Sequence, residues 1–426
     1  MEKRVVTGFL MLLMLIPLSS SIGEPAGAKN TTTFDIEWER TFGGPEKEGA
    51  SAMLQTADGG YALAGGTESF GAGNGDFWLV KTDASGQLEW NQTFGGYWEE
   101  GASSVLQTAD GGYILAGATV SYGAGATDFW LVKTDASGQL AWNQTFGGPE
   151  EERASSLLQT ADGGYILAGA TGNYPDADFW LVKTDASGKL AWNQTFGGPE
   201  QDGAMSVCQT ADGGYVLAGG TDSFGAGNGD IWLVKTDASG QMVWNQTFGG
   251  AEQERVSAVR QTADGGYVLS GGTNSYGAGN SDFWLVKADA SGQLAWNQTF
   301  GGAAWDNACS VRQTADGGYV LAGVTTSYGA GNGDFWLVKT DASGQVTWNQ
   351  TFGGKELDSA SAVLQTADGG YVLAGSTNSY GAGKQDMWLI KISEAETTED
   401  SPSWTAAIVL ISLTTLLIFR KRKKHR

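Results

Sequence analysis

The chain has 426 residues, with 47 Asp and Glu against 25 Lys and Arg and a formal net charge of −22. That balance argues against nucleic acid or anionic lipid as a partner, and leaves cations or basic surfaces as natural company. Two cysteines, Cys208 and Cys309, at unlike places in the chain, and a single histidine, His425, argue against a disulfide framework or a Cys/His metal centre.

Lys3 and Arg4, an apolar stretch from Val5 to Leu18, and the small-residue triplet Ala26-Gly27-Ala28 form the three-part layout of a secretory signal peptide over residues 1–28. A cut near Ser21 fits almost as well, and an uncleaved anchor is the rival reading. Ile36 to Phe42 then reads as a lone strand. After it, Gln-Thr-Ala-Asp-Gly-Gly-Tyr recurs with its aspartate at Asp58, Asp110, Asp162, Asp212, Asp264, Asp316 and Asp368, at steps of 52 residues with one of 50. A period of that length belongs to propellers and arrays.

Each repeat predicts four short strands, which in the first copy are Ser51 to Thr56, Tyr61 to Thr67, Phe77 to Asp83 and Gln87 to Phe94. Ala57-Asp58-Gly59-Gly60 and Asp83-Ala84-Ser85-Gly86 supply the residues that tight hairpins need. The last repeat, Ser361 to Ile392, lacks its fourth strand, and Ile36 to Phe42 matches what is missing. We therefore expect an all-β, seven-bladed β-propeller over residues 36–392, its blades four-stranded and antiparallel, its ring closed by the N-terminal strand. An acidic linker (393–403), an apolar Trp404–Phe419 segment slightly shorter than the ~20 residues of a usual membrane-spanning helix, and a basic tail (420–426) follow. With the basic cluster on the cytoplasmic side, these features predict a single-pass membrane protein displaying its propeller outside the cell.

On these motifs the chain resembles bacterial and archaeal surface propellers whose repeats read Gln-Thr-x-Asp-Gly-Gly-Tyr, then Asp-x-Trp-Leu-x-Lys, then Trp-x-x-Thr-Phe-Gly-Gly. It also resembles the tryptophan-docked repeats of quinoprotein-type propellers, since Asp83-Ala84-Ser85-Gly86 precedes Trp90, although the spacing is one residue shorter and that family's cofactor residues have no counterpart. Thr56-Ala57-Asp58-Gly59-Gly60 is similar to the Asp-box turn of sialidases without its closing tryptophan. The propeller's arginines, Arg40, Arg153, Arg255, Arg260 and Arg312, do not suggest that family's arginine triad. The C-terminal arrangement resembles prokaryotic sorting tails, which leaves open whether the apolar segment is retained.

Fourteen of the 17 tryptophans fall on repeat positions, where packing between blades is the expected role and a sugar or quinone platform the alternative. The fourth residue after each Gly-Gly is acidic although its loop varies: Glu48, Glu100, Glu152, Asp202, Glu254, Asp306 and Asp358. A second acid opens each third strand: Asp76, Asp128, Asp178, Asp230, Asp282, Asp334 and Asp386. Strand alternation sends both loops to one face, where these acids would either accept backbone N–H bonds or hold a hard cation such as Ca²⁺. Tyr97, Trp98 and Trp305 in the variable loops, with Tyr122, Tyr276, Tyr328 and Tyr380 in the recurring ones, are candidates for contacting a glycan or protein partner. The third repeat departs here, with Asn173-Tyr174-Pro175-Asp176 in a shortened loop. Asn30, Asn91, Asn143, Asn193, Asn245, Asn297 and Asn349 open glycosylation sequons.

With no histidine in the repeats and no blade bearing a unique acid, base and nucleophile, the sequence favours a non-catalytic cell-surface binding, adhesion or envelope-scaffold module. The alternative is a secreted propeller enzyme, a quinoprotein-like oxidoreductase or a glycoside-active hydrolase.

Overall fold

A computed structural model describes residues 34–394; the expected signal peptide, the sequon at Asn30, most of the linker, the apolar segment and the tail lie outside them. The described residues form seven four-stranded antiparallel sheets. Six are continuous: blade 1 (Glu48–Phe94), blade 2 (Glu100–Phe146), blade 3 (Glu152–Phe196), blade 4 (Asp202–Phe248), blade 5 (Glu254–Phe300) and blade 6 (Asp306–Phe352). Blade 7 takes three strands from Asp358–Glu394 and its fourth from Phe34–Phe42, which pairs antiparallel with Asp386–Glu394. The first strands of neighbouring blades touch one another around the whole ring and so line the central channel. Fourth strands, such as Leu88–Phe94, are the outer, largely solvent-facing ones.

Two turns fix each hairpin. In the first, Thr56 N–H and Gly60 C=O close the loop at 2.9 Å, Gly59 takes a φ of +88°, and Asp58 accepts from the Thr56 hydroxyl and from Gly60 N–H. The Lys81 ammonium, on a buried side chain, then reaches Asp58 at 2.9 Å and donates to Thr82 C=O at 2.8 Å, which ties the third strand to the turn. In the second, Asp83 Oδ1 accepts from Ser85 N–H, the Ser85 hydroxyl and Gln87 N–H. Gly86 must lack a side chain there, because a Cβ would lie 2.4 Å from the Trp38 ring.

That contact repeats as the seam between blades. Trp38, Trp90, Trp142, Trp192, Trp244 and Trp296 each lie against the turn glycine of the following blade, from Gly86 and Gly138 to Gly344. On the inner side, Phe77 packs on Trp130 at 4.7 Å between ring centroids, and the pairing recurs to Phe335 and Trp388. Packing between blades is therefore the role of these tryptophans. Blade 7 has no such turn for Trp348, and Phe34 takes its place, with ring centroids 4.5 Å apart and Phe34 C=O accepting from Gln350 Nε2 at 2.9 Å. The closing strand thus starts two residues before its expected first residue, Ile36.

The outer-strand asparagines of the sequons have a structural use. Asn91, Asn143, Asn193, Asn245, Asn297 and Asn349 accept from the indole N–H of the third-strand tryptophan of their own blade, at 3.1 to 3.3 Å. In the closing strand the equivalent residue is Glu39, and Trp388 Nε1 is buried without a partner. Glu39→Asn is expected to supply the acceptor and raise stability by about 1 kcal/mol, read as a higher denaturant midpoint at unchanged m.

Candidate functional site

The Asp-Gly-Gly and Asp-Ala-Ser-Gly turns occupy one end of the ring, hereafter the turn face. The loops between second and third strands, and those between blades, occupy the other, the loop face, where parallel bridges such as Gly75 to Glu99 join neighbouring blades.

The first acidic set opens the inner strands and is buried: Glu48 is 1% exposed and Asp306 0%. Glu48 Oε2 accepts from Gly44 N–H at 2.7 Å, while Oε1 accepts from the Thr67 hydroxyl and Ser69 N–H, both at 3.0 Å. One carboxylate thereby fixes the entry to its strand and the neighbouring loop. Glu100 and Glu254 repeat the pattern, and Asp306 and Asp358 reach the same groups with shorter arms.

The second set stands beside the first across the seam, so each meeting pair comes from two blades. Asp76 Oδ2 accepts from Ala72 and Gly73 N–H at 3.0 and 3.3 Å. A Cβ on Gly95 would fall 1.8 Å from Asp76 Oδ1 and 2.6 Å from Glu100 Oε2, so the carboxylates of blades 1 and 2 close on the same glycine. The same arrangement joins Asp386 to Glu48 at Gly43, and Asp128 to Glu152 at Gly147. It recurs for Asp230 with Glu254, Asp282 with Asp306 and Asp334 with Asp358, and for Asp178 with Asp202.

Oδ1 of Asp76, Asp178, Asp202, Asp230 and Asp386 has no partner. Burial raises the carboxyls of Asp76 and Asp334 above the usual range against the pull of their N–H donors, and the charges of Glu100 and Asp358 add to it. Asp178, whose shortened loop gives it no such donors, is raised by burial and then by Asp202 and Asp176. A hard cation would find one uncommitted buried oxygen at the seams of Asp76, Asp230 and Asp386 and two at that of Asp178 and Asp202, against the roughly six to eight that Ca²⁺ takes. Among the described residues no three His, Cys, Asp or Glu side chains converge as a metal requires.

Acid titration should therefore separate the two faces. On the turn face, Asp58 is held down to about 2 by the Thr56 hydroxyl and the Lys81 ammonium, and Asp110, Asp162 and Asp212 likewise by their threonines and lysines. Asp316 and Asp368 reach about 2 although burial pulls the other way, under Lys339 and Lys391 and then Thr314 and Thr366. These groups stabilise the fold above the unfolded carboxyl pKa of about 3.9, and their contribution disappears as pH falls toward 2. Asp76, Asp178 and Asp334 have the opposite sign: their buried charge costs stability at neutral pH, and protonation relieves it. The melting temperature should rise slightly as pH falls from neutrality toward the ordinary carboxylate range, then drop between about 4 and 2, as followed by far-UV circular dichroism.

The aromatic candidates divide into two groups. Tyr122, Tyr276, Tyr328 and Tyr380 are half-exposed wedges: their rings lie on Trp130, Trp284, Trp336 and Trp388 at 5.0 to 5.6 Å, and their hydroxyls donate to Gly95, Gly249, Gly301 and Gly353 C=O. Tyr97 and Trp98 are free of such duties, at 70% and 53% exposed, and stand edge to face at 4.9 Å. Trp305 is exposed at another seam, and Tyr174, in the shortened loop of blade 3, is the most exposed aromatic among the described residues at 81%. Tyr174 holds the repeat position of Tyr122 and its copies, three residues after the strand-ending threonine, but in the shortened loop it does not lie on its blade's tryptophan as they do.

Around the channel mouth, the residue just before each buried acid runs Lys47, Glu99, Glu151, Gln201, Gln253, Trp305 and Leu357. Beside this ring, a cavity of about 340 Å³ is lined by Gln201, Met205, Gln253, Arg255 and Asn307 among others, with Met205 exposed. A second, of about 370 Å³, lies around Lys47, Glu68 and Glu99.

No protein-family model and no curated protein sequence matches the chain. Among solved structures, the WD40 domain of Pan2 from Neurospora crassa is similar with a TM-score of 0.53 and 13% identity, over 86% of this chain and 99% of that one. Sqt1 from Chaetomium thermophilum gives 0.48 and 11%, over 85% and 100%. The likeness is one of fold: the described chain is a seven-bladed β-propeller.

Proposed function

We propose that the protein is a non-catalytic binding module, displayed outside the cell on a C-terminal membrane segment, that docks a protein partner on the loop face around the channel mouth. The observation that carries this reading is a contrast within one loop. The acid that holds each loop is buried and hydrogen-bonded, while the residue before it takes five identities around the seven blades, from Lys47 through Glu151 and Gln253 to Trp305 and Leu357. A ring of fixed supports carrying varied, exposed side chains is what specific recognition by a scaffold needs.

A protein partner is favoured over a glycan because the two repeated acid sets are largely buried, and the exposed side chains of the loop face mix Trp, Tyr, Leu and Met with Lys47, Glu99 and Glu151. The display rests on the leader and tail sequences and on the resemblance to prokaryotic surface propellers. Glycans on the outer-strand sequons are compatible with it, since those asparagines are exposed.

The test is a peptide-display and glycan panel against the full chain. Binders should lose at least tenfold in affinity in the Tyr97→Ser/Trp98→Ser/Trp305→Ser variant and keep it in Ala84→Lys/Ala136→Lys on the turn face. Ligands that respond only to the turn-face changes, or turnover of a glycoside, would overturn the proposal.

A further inference from the structure

The seventh residue of each inner strand faces the next blade. In five blades it is Leu54, Leu106, Leu158, Cys208 or Leu364, each packed against the apolar seam. In blades 5 and 6 it is Arg260 and Arg312. Both are only partly exposed, and their Nε atoms are the only buried cationic atoms without a hydrogen-bond partner among the described residues. Arg260 Nη1 donates to Val259 C=O at 2.8 Å, while Arg312 makes no hydrogen bond or ion pair to any described residue.

Blade 5 departs from the repeat at a second buried position. Ser270, on the second strand of blade 5, stands where blades 1 to 4, 6 and 7 have alanine; it is fully buried with an unpartnered hydroxyl, on the same sheet face as Arg260. Burial lowers the basicity of both arginines, and Arg260 further lowers Arg312 by repulsion, with no carboxylate acting on either. Arg260 and Arg312 hold the same position on inner strands that touch, and in a chain of net charge −22 two such guanidinium groups without a counter-charge are an unbalanced arrangement.

We propose that Arg260 and Arg312 form an anion site in the inner wall of the channel, near its turn-face end, that takes a tetrahedral oxyanion of the phosphate or sulfate class. Two guanidinium forks supply both the charge and the N–H donors for such a group. The site lies at the end of the channel opposite the docking surface and is independent of it.

The experiment melts the full chain in inorganic phosphate against sodium chloride at matched ionic strength, alongside Arg260→Leu/Arg312→Leu, which restores the residue of blades 1, 2, 3 and 7. The unmodified chain should show a saturable rise of about 3 °C. The leucine variant should melt higher than the unmodified chain without phosphate, and should lose the saturable rise. Calorimetric titration of phosphate into the unmodified chain should give one site, and this arm holds even if the variant fails to fold. An equal, unsaturable rise in both proteins would mark general exclusion of phosphate from the surface and overturn the site, as would the absence of binding heat.

Discussion

Excising Phe34–Phe42 from the full chain is expected to abolish cooperative unfolding. That strand is the outer edge of blade 7, paired along its length with Asp386–Glu394. It brings Phe34 and Phe42, both buried, and Trp38, which covers Gly86 of blade 1. Losing even two large aromatics costs about 3–5 kcal/mol each, comparable with the ~5–15 kcal/mol that a whole fold has to spare. The exposed edge would also invite pairing with other chains. Reinserting the strand after residue 394 through an Asp-Ala-Ser-Gly turn should restore a single transition, since blade 7 would then be built like the other six. An excised chain that melts within a few degrees of the original, followed by circular dichroism and sedimentation, would refute closure by this strand.

The second large effect is expected at Trp130, which is 3% exposed. Its ring packs on Phe77 of blade 1 and under Tyr122, at 4.7 and 5.3 Å, and its N–H donates to Asn143 at 3.2 Å. Trp130→Ala would open a cavity across the blade 1–2 seam and cost about 3–5 kcal/mol in chemical denaturation. Asn143→Ala should cost only about 1 kcal/mol, because it leaves the packing intact. If the two changes cost the same, the seam is not held by the indole.

The strand plan was legible because the Asp-Gly-Gly and Asp-Ala-Ser-Gly turns mark hairpins chemically and repeat at a fixed period. Closure was legible because Ile36 to Phe42 matches the strand that the last repeat lacks. Phe34 was not, since it replaces a turn that is absent and so has no counterpart to align with. The inner strands begin at Glu48 rather than the expected Ser51, because the acid read as a loop residue is the first residue of the strand.

The acidic ring was visible as spacing, but its direction was not. The signal that would have decided it is the Thr67-x-Ser69 pair and most of its copies, whose hydroxyl and N–H take up the carboxylate. Arg260 and Arg312 were in plain sight as departures from a leucine position, yet only the three-dimensional environment shows that they have no counter-charge.

If partners meet the loop face, the photoreactive residue benzoylphenylalanine placed at Tyr97 or Trp305 of the full chain in its native cells should yield partner adducts, and the same residue at Ala84 or Ala136 on the turn face should yield none; adducts confined to Ala84 and Ala136 would place the partner on the turn face instead.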